Sequence, residues 1–269
     1  MPITGFVSGC LGNFVPYIGP GDIVPGALAF WGLRAYSQAS MGQVAITLRR
    51  DSDNGLQDFR MLGNGHLDVA AITTFKAAAN LFVRTLHDQV GTNDFVQTTN
   101  ANQPQFILNG FGANPVMRFV KASSLGLITL NAIADTQPFS WSAVAKRTGS
   151  TTLQNTILGD ANVEFYFNNA ANQLAMFAGT TQTIAGTDGI FHSLNGVFNG
   201  ANSIFNVDGI NSTVSPGANA MGGTMDLGSG DTLTNPCDAD ILGASVWTSA
   251  LTAQNLIDLH GNQGAFWGF

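Results

Sequence analysis

Val44-Ala45-Ile46-Thr47-Leu48-Arg49 runs, through Arg50, into Asp51-Ser52-Asp53-Asn54-Gly55. The first run is rich in β-branched and apolar residues, which suit a pleated strand. The second holds the Asp, Asn, Ser and Gly residues that close turns. This unit, a short apolar run and then a turn signal, recurs along the body. Further strand candidates lie at 82–86, 116–120, 125–130, 139–145, 152–158, 163–167, 173–178, 190–198, 202–207 and 239–247. Two segments read as helices. They are Val69 to Asn80, with Asp68 as N-cap, and Thr252 to His260, opened by Thr252 and closed by Gly261. Short strands with sparse helices predict an all-β fold, a sandwich of two antiparallel sheets with one or two short helices.

The composition agrees. The chain has 269 residues, 32 glycines, ten Lys and Arg, and seventeen Asp and Glu, of which Glu164 is the only glutamate. Helix-rich proteins spend Glu and Lys freely on exposed faces, so their scarcity favours strands and turns. A net charge of -7 with scattered cations excludes a basic stripe for nucleic acid. No run of 18 apolar residues is present, so no membrane-spanning helix is expected. Charged residues are only 10% of the chain, and so uncharged a surface suits coverage by other protein copies.

Pro2, Pro16, Pro20 and Pro25 rule out a long helix or central strand in residues 1–30. Phe6, Phe14, Val15, Tyr17, Ile23 and Val24 are interleaved with them, which predicts an extended N-terminal arm packed on its own domain or on a neighbour. Residues 31–269 are then one sandwich domain. Val7-Ser8-Gly9-Cys10 has the form of a lipoprotein cleavage box, but no cation and no long apolar core precede it. No classical export signal is expected. Cys10 and Cys237 give no disulfide framework, and whether they pair stays open.

Two stretches resemble known families. Arg49-Arg50-Asp51-Ser52-Asp53-Asn54, Gly65-His66-Leu67-Asp68, Leu86-His87-Asp88-Gln89-Val90-Gly91 and Asn102-Gln103-Pro104 resemble the N-terminal part of the α-L-arabinofuranosidase B catalytic domain, over roughly residues 33–120. Similar segments open jelly-roll domains of phage virion proteins. Asp188-Gly189-Ile190-Phe191-His192, then Phe205-Asn206-Val207-Asp208-Gly209, then Ile241 to Trp247 and Ser249-Ala250-Leu251-Thr252, resemble a laminin-G-like jelly roll over roughly 140–265. Together they imply a concanavalin A-like jelly roll.

The arabinofuranosidase resemblance implies a glutamate nucleophile and an aspartate acid. The stretch matching the nucleophile segment is Asn168-Asn169-Ala170-Ala171-Asn172-Gln173-Leu174, which has no carboxylate, and an amide cannot form the covalent glycosyl intermediate. Asp231, in Gly228-Ser229-Gly230-Asp231, matches the acid. The family's adjacent cysteine pair is absent. Glu164 could act as a lone acid, but alternation in Val163-Glu164-Phe165-Tyr166-Phe167 puts it opposite the apolar residues, as a solvent-side carboxylate. The glucanase pattern needs two glutamates and is excluded. No catalytic or cofactor-binding residue is therefore assigned, and no enzymatic activity is expected.

Asp51, Asp53, Asn54 and Asp58 are candidates for a structural calcium ion; the competing reading is a hydrogen-bonded turn paired with Arg49 or Arg50. Asp231, Asp238 and Asp240 are a second such group. His66, His87, His192 and His260 lack metal-ligand spacing. Period-two spacing puts Phe139, Trp141, Ala143 and Ala145 on one strand face, and Ile241, Gly243, Ser245 and Trp247 on another, so Trp141 and Trp247 are expected in or beside the inter-sheet core. Trp31 and Trp267, near the ends, are expected to cover an interface.

The functional expectation is a non-catalytic bacteriophage virion subunit, of the head-decoration, head-fibre or tail-associated kind. Its expected place is the virion. Its expected partners are other virion proteins, copies of itself and host surface glycans, with no nucleic acid and no membrane. The alternatives are a lectin-like carbohydrate-binding module and an arabinofuranosidase-like glycoside hydrolase.

Overall fold

The structure, a computed structural model, describes residues 16–149, 154–230 and 235–269. Its first strands are β1 (Ala29–Gly32), β2 (Val44–Arg50), β3 (Leu56–Arg60), β4 (Leu81–Leu86), β5 (Phe95–Val96), β6 (Gln105–Phe111) and β7 (Asn114–Phe119). Next come β8 (Leu127–Thr129), β9 (Ile133–Asp135), β10 (Phe139–Arg147), β11 (Asn155–Gly159), β12 (Glu164–Phe167), β13 (Gln173–Phe177) and β14 (Thr181–Ala185). The last are β15 (His192–Phe198), β16 (Ser203–Val207), β17 (Ile210–Val214), β18 (Met221–Gly223), β19 (Asp226–Leu227) and β20 (Ala239–Trp247). The helices are α1 (Pro20–Ile23), α2 (Val69–Lys76) and α3 (Ala253–Trp267). The fold is an all-β antiparallel sandwich, as the strand-and-turn pattern predicts.

Strands β17, β16, β15, β10 and β20 are successive antiparallel neighbours. The other edge of β20 is shared by β1 and β7. A second series, β14–β13–β12–β11–β19, stacks against the first. Odd-numbered residues of β10 face that second layer. Trp141 meets Phe165 edge to face at 5.7 Å, and Phe165 stacks with Phe198 at 5.7 Å and Phe205 at 5.6 Å. Offset and edge-on rings suit the gap of about 10 Å between packed sheets.

Trp247 is buried on the other face. It packs with Val24, Ala27, Phe30, Tyr36 and Leu259 beneath α3, apart from the inter-sheet core. A register shift opposite Val144 and Ala145 is the reason. It sets Ile241 against Ala145 and leaves Gly243 opposite Val144, so Ile241 and Trp247 do not share one uninterrupted face.

Helix α3 does not stop at Gly261. It continues to Trp267 and ends at Gly268, whose φ of 85° makes the left-handed cap. Two helical glycines cost about 1 kcal/mol each. Burial of Leu256, Leu259, Gln263 and Trp267 along one face offsets that cost. Trp267 thus belongs to the molecule's own interior, with its Nε1 donating to Gln263 Oε1 at 3.0 Å. Trp31 is interior too: it is fully buried in β1, donates to Asn93 O at 2.8 Å and packs on Phe95. Neither tryptophan covers an external interface.

The described part of the arm packs on its own domain. The Tyr17 hydroxyl hydrogen-bonds Ala35 O and accepts from Arg34 Nε, and Leu28 N donates to Val246 O at 2.7 Å. Strand β1 crosses the expected boundary at residue 30, because Phe30 and Trp31 pair side by side with β20. Residues 1–15, Cys10 included, lie outside the described residues. Cys237 is buried and carries a free thiol, whose pKa burial pushes up. No described helix is long and apolar enough to cross a membrane.

Candidate functional site

Arg147 closes the core-facing row of β10. Its side chain is 1% exposed, so its charge needs partners inside the protein. The guanidinium lies over Phe167, 5.1 Å from the ring centre. It donates to Asn168 O and to Ala170 O, and pairs with Asp188 Oδ1 at 3.1 Å. Burial lowers the Arg147 pKa and Asp188 counters that shift. Asp188 Oδ2 also accepts from Asn172 N at 2.8 Å, while Asp188 N donates to Asn172 Oδ1 at 2.9 Å. One cation thereby fastens two loops, the 168–172 turn between β12 and β13 and the segment before β15. The turn matched to a nucleophile segment has no carboxylate of its own, yet Asp188 brings one against it.

The same loop turns its other end to a cleft of about 560 Å³ on the α3 side. Phe111, Phe191 and Phe269 form its aromatic wall, with Phe111 and Phe191 centred 4.5 Å apart. Lys146, the neighbour of Arg147, points to this opposite side and lies 4.9 Å from the Phe191 ring centre. Its Nζ pairs with Asp240 Oδ2 at 3.0 Å, and Arg118 also holds Asp240. Asp208, at a turn with φ 51°, faces the cleft and pairs with His192 Nδ1 at 2.6 Å. His192 Nε2 meets Thr187 O at 2.7 Å, so both ring nitrogens face acceptors and the imidazolium satisfies both. Burial opposes that charge, but the bonds to Asp208 and Thr187 outweigh it and raise the His192 pKa. Burial would raise the Asp208 pKa, and the His192 bond outweighs it, so the net shift is downward.

The other sequence candidates are dispersed. Asp51 accepts from Asn80, Asp53 pairs with Arg50, Asn54 accepts from Arg49, and Asp58 accepts from Thr47. Their oxygens serve four different partners, and the described residues contain no group of three or more His, Cys, Asp or Glu fit for a metal. Asp238 accepts from Lys121 N, and Asp240 is taken by Arg118 and Lys146. Glu164 faces away from the buried Val163 and Phe165 and bonds Gln154. His66 stacks on Phe266, and His87 bridges Thr47 and Asp94. Asp231 lies outside the described residues. Both flanks of its segment are tied to β11, through Gly228 N to Ile157 O and Thr156 N to Asn235 O. Asn155 of β11 pairs with Phe167, one residue before the 168–172 turn.

Sequence reasoning missed Asp188 and Lys146. A signal for the first existed: an arginine ending a strand whose alternate residues are all apolar requires a buried anion, and Asp188-Gly189 is a turn signal before the next strand.

No family model and no curated protein matches the chain. Solved structures do. A glutamate-to-glutamine variant of a GH54 α-L-arabinofuranosidase, soaked with 4-nitrophenyl α-L-arabinofuranoside, matches with TM-score 0.70 and 15% identity over 91% of this chain and 64% of that one. An arabinofuranosidase complexed with arabinofuranosyl-α-1,2-xylobiose matches with TM-score 0.69, 16% identity and the same coverage. The chain thus spans just under two thirds of those proteins. At this identity the likeness establishes the fold. It bears out the arabinofuranosidase side of the sequence resemblance, and nothing in it points to virion proteins. The expectation of a non-enzymatic phage virion subunit is corrected accordingly: the structural relatives are glycoside hydrolases.

Proposed function

We propose that this domain is a glycoside hydrolase acting on terminal α-L-arabinofuranosyl groups. The observation that carries the reading is the match to arabinofuranosidases over 91% of the chain at TM-score 0.70. The Arg147–Asp188 pair supports it locally, since it puts a carboxylate at the turn where the resemblance implies one. Retaining hydrolysis needs a nucleophilic carboxylate and an acid about 5–5.5 Å apart. Asp188, paired with Arg147 at 3.1 Å, takes the first role. Its oxygen attacks the anomeric carbon and forms an ester as the leaving oxygen takes a proton from Asp231. Water, deprotonated by Asp231, then cleaves the ester and restores both groups.

The test is release of 4-nitrophenol from 4-nitrophenyl α-L-arabinofuranoside. Wild-type turnover is expected, with loss in Asp188→Gly and Asp231→Asn. Azide should restore turnover to Asp188→Gly by replacing the missing nucleophile, a rescue that a merely unfolded variant would not show. Wild-type inactivity on aryl arabinofuranosides would overturn the proposal. Full activity in Asp188→Gly would remove Asp188 from it.

A further inference from the structure

We infer that the cleft beside the end of α3 is a second binding site, for a neutral saccharide, separate from the Arg147–Asp188 site. The inference does not depend on the hydrolase reading. The cleft's volume of about 560 Å³ suits a ligand of one to three sugar rings; small-molecule sites generally span about 300–1,000 Å³. In its wall the half-buried Phe111 and Phe269, with the buried Phe191 packed behind Phe111, offer aromatic surface to the C–H face of a sugar.

The polar groups decide the ligand class. Lys146, Asp208 and His260 are the titratable side chains of the lining; Lys146 and Asp208, one of each sign, are already partnered by Asp240 and His192, while His260 Nδ1 is buried without a hydrogen-bond partner. At Lys146 or Asp208 a charged ligand would have to compete with a formed pair. A purely apolar ligand would cover both groups and strip their water, which costs free energy without return. A hydroxylated neutral ligand fits both demands. Its hydroxyls can donate to remaining lone pairs of Asp208, whose side chain is 35% exposed, and accept from the other N–H groups of Lys146. Ile190, 51% exposed and part of the lining, extends the apolar surface of the cleft.

The experiment is calorimetric titration of the whole 269-residue chain with arabinotriose, xylotriose and a galacturonic acid trisaccharide. Saturable binding of at least one neutral trisaccharide is expected, with the acidic one weaker. Ile190→Glu places a carboxylate at an exposed mouth position, and Lys146→Gln removes the donor cation. Each should weaken binding about tenfold or more, close to 1.4 kcal/mol, with an unchanged circular dichroism spectrum. Asp188→Asn should leave this affinity intact. Absence of saturable neutral binding, preference for the acidic sugar, or unchanged affinity in Ile190→Glu would each overturn the inference. Loss of all binding in Asp188→Asn alone would move the sugar to the Arg147 site, which overturns the second site while leaving the hydrolase reading standing.

Discussion

The two faces of the β10–β20 pair are both buried, but they are built differently. Toward the second sheet the residues are large rings, Phe139 and Trp141, joined by Phe198 and Phe165. Toward α3 they include Ser140, Ser142 and Ser245, all nearly inaccessible, with Trp247 at the end. Ser140 accepts from Leu251 N at 2.9 Å and donates to Ser249 O at 2.8 Å, which fixes the chain entering α3. Sheets stacked about 10 Å apart need long side chains to meet. A helix lying close on a sheet needs short ones, and hydroxyls there can take up loop backbone groups. Residue size therefore reports which neighbour a strand face has.

The sharpest way to break this comparison is to truncate one tryptophan on each side. Trp141→Ala should cost about 4–5 kcal/mol, near the top of the range for buried aromatics. It empties a ring cluster and removes the Nε1 contact to Met221 Sδ at 3.0 Å. Trp247→Ala should cost about 3 kcal/mol, because its Nε1 has no hydrogen-bond partner to lose. Urea denaturation measures both, and a larger loss for Trp247→Ala would reverse the ranking of the two faces.

Arg147 extends the ring-lined face to its rim. Arg147→Met keeps the packing on Phe167 but strands Asp188. Breaking a fully buried pair costs about 3–5 kcal/mol. Asp188 is 23% exposed, so solvent lowers the expected loss to about 2 kcal/mol. A thermal shift as small as that of Asp53→Asn would show that the rim does not need its cation.

On the α3 side the corresponding test is pH. His192 has a raised pKa in the folded state, so its contribution is complete below the unfolded value of about 6.5. That stability should decline as pH rises from there through the higher folded value. Asp208 has the opposite sign, and its part is lost as acid lowers pH through its depressed pKa. Melting temperature against pH, compared with His192→Gln, isolates the first effect. An equal slope in the variant would remove His192 as its source. The smallest effect is expected at Asp53, whose pair with Arg50 is solvent-exposed. Asp53→Asn should leave the melting temperature within error.

Much of the sheet structure was legible because alternation and turn residues are local signals. The strand expected at 239–247 is β20 from end to end. Helix α3 was half legible: its Thr252 cap is local, but what carries it past Gly261 is Gln263 meeting Arg34, at a separation of 229 residues. The short strand β1, at the end of the Pro-rich region, was missed because proline density is read locally, whereas β1 exists by pairing with β20. The candidate site was the least legible part. Matching by segment looked for a carboxylate within the 168–174 turn, while folding supplies one from Asp188 in a different loop. The metal candidates failed for a related reason. Acidic residues close in sequence point their oxygens to separate partners once strands fix their directions.

Strand β20 also sets the order in which this chain can become native. It hydrogen-bonds β1, β7 and β10, with Ala29 opposite Val246. It is also the last of the described strands. As the chain leaves the ribosome, those three strands wait with an open edge until β20 has emerged. Contacts of such sequence separation form slowly, because a long loop must close before they return any free energy. Folding of this domain is accordingly a late and collective event, and the unpaired edge of β10 is the surface by which unfinished chains would find one another.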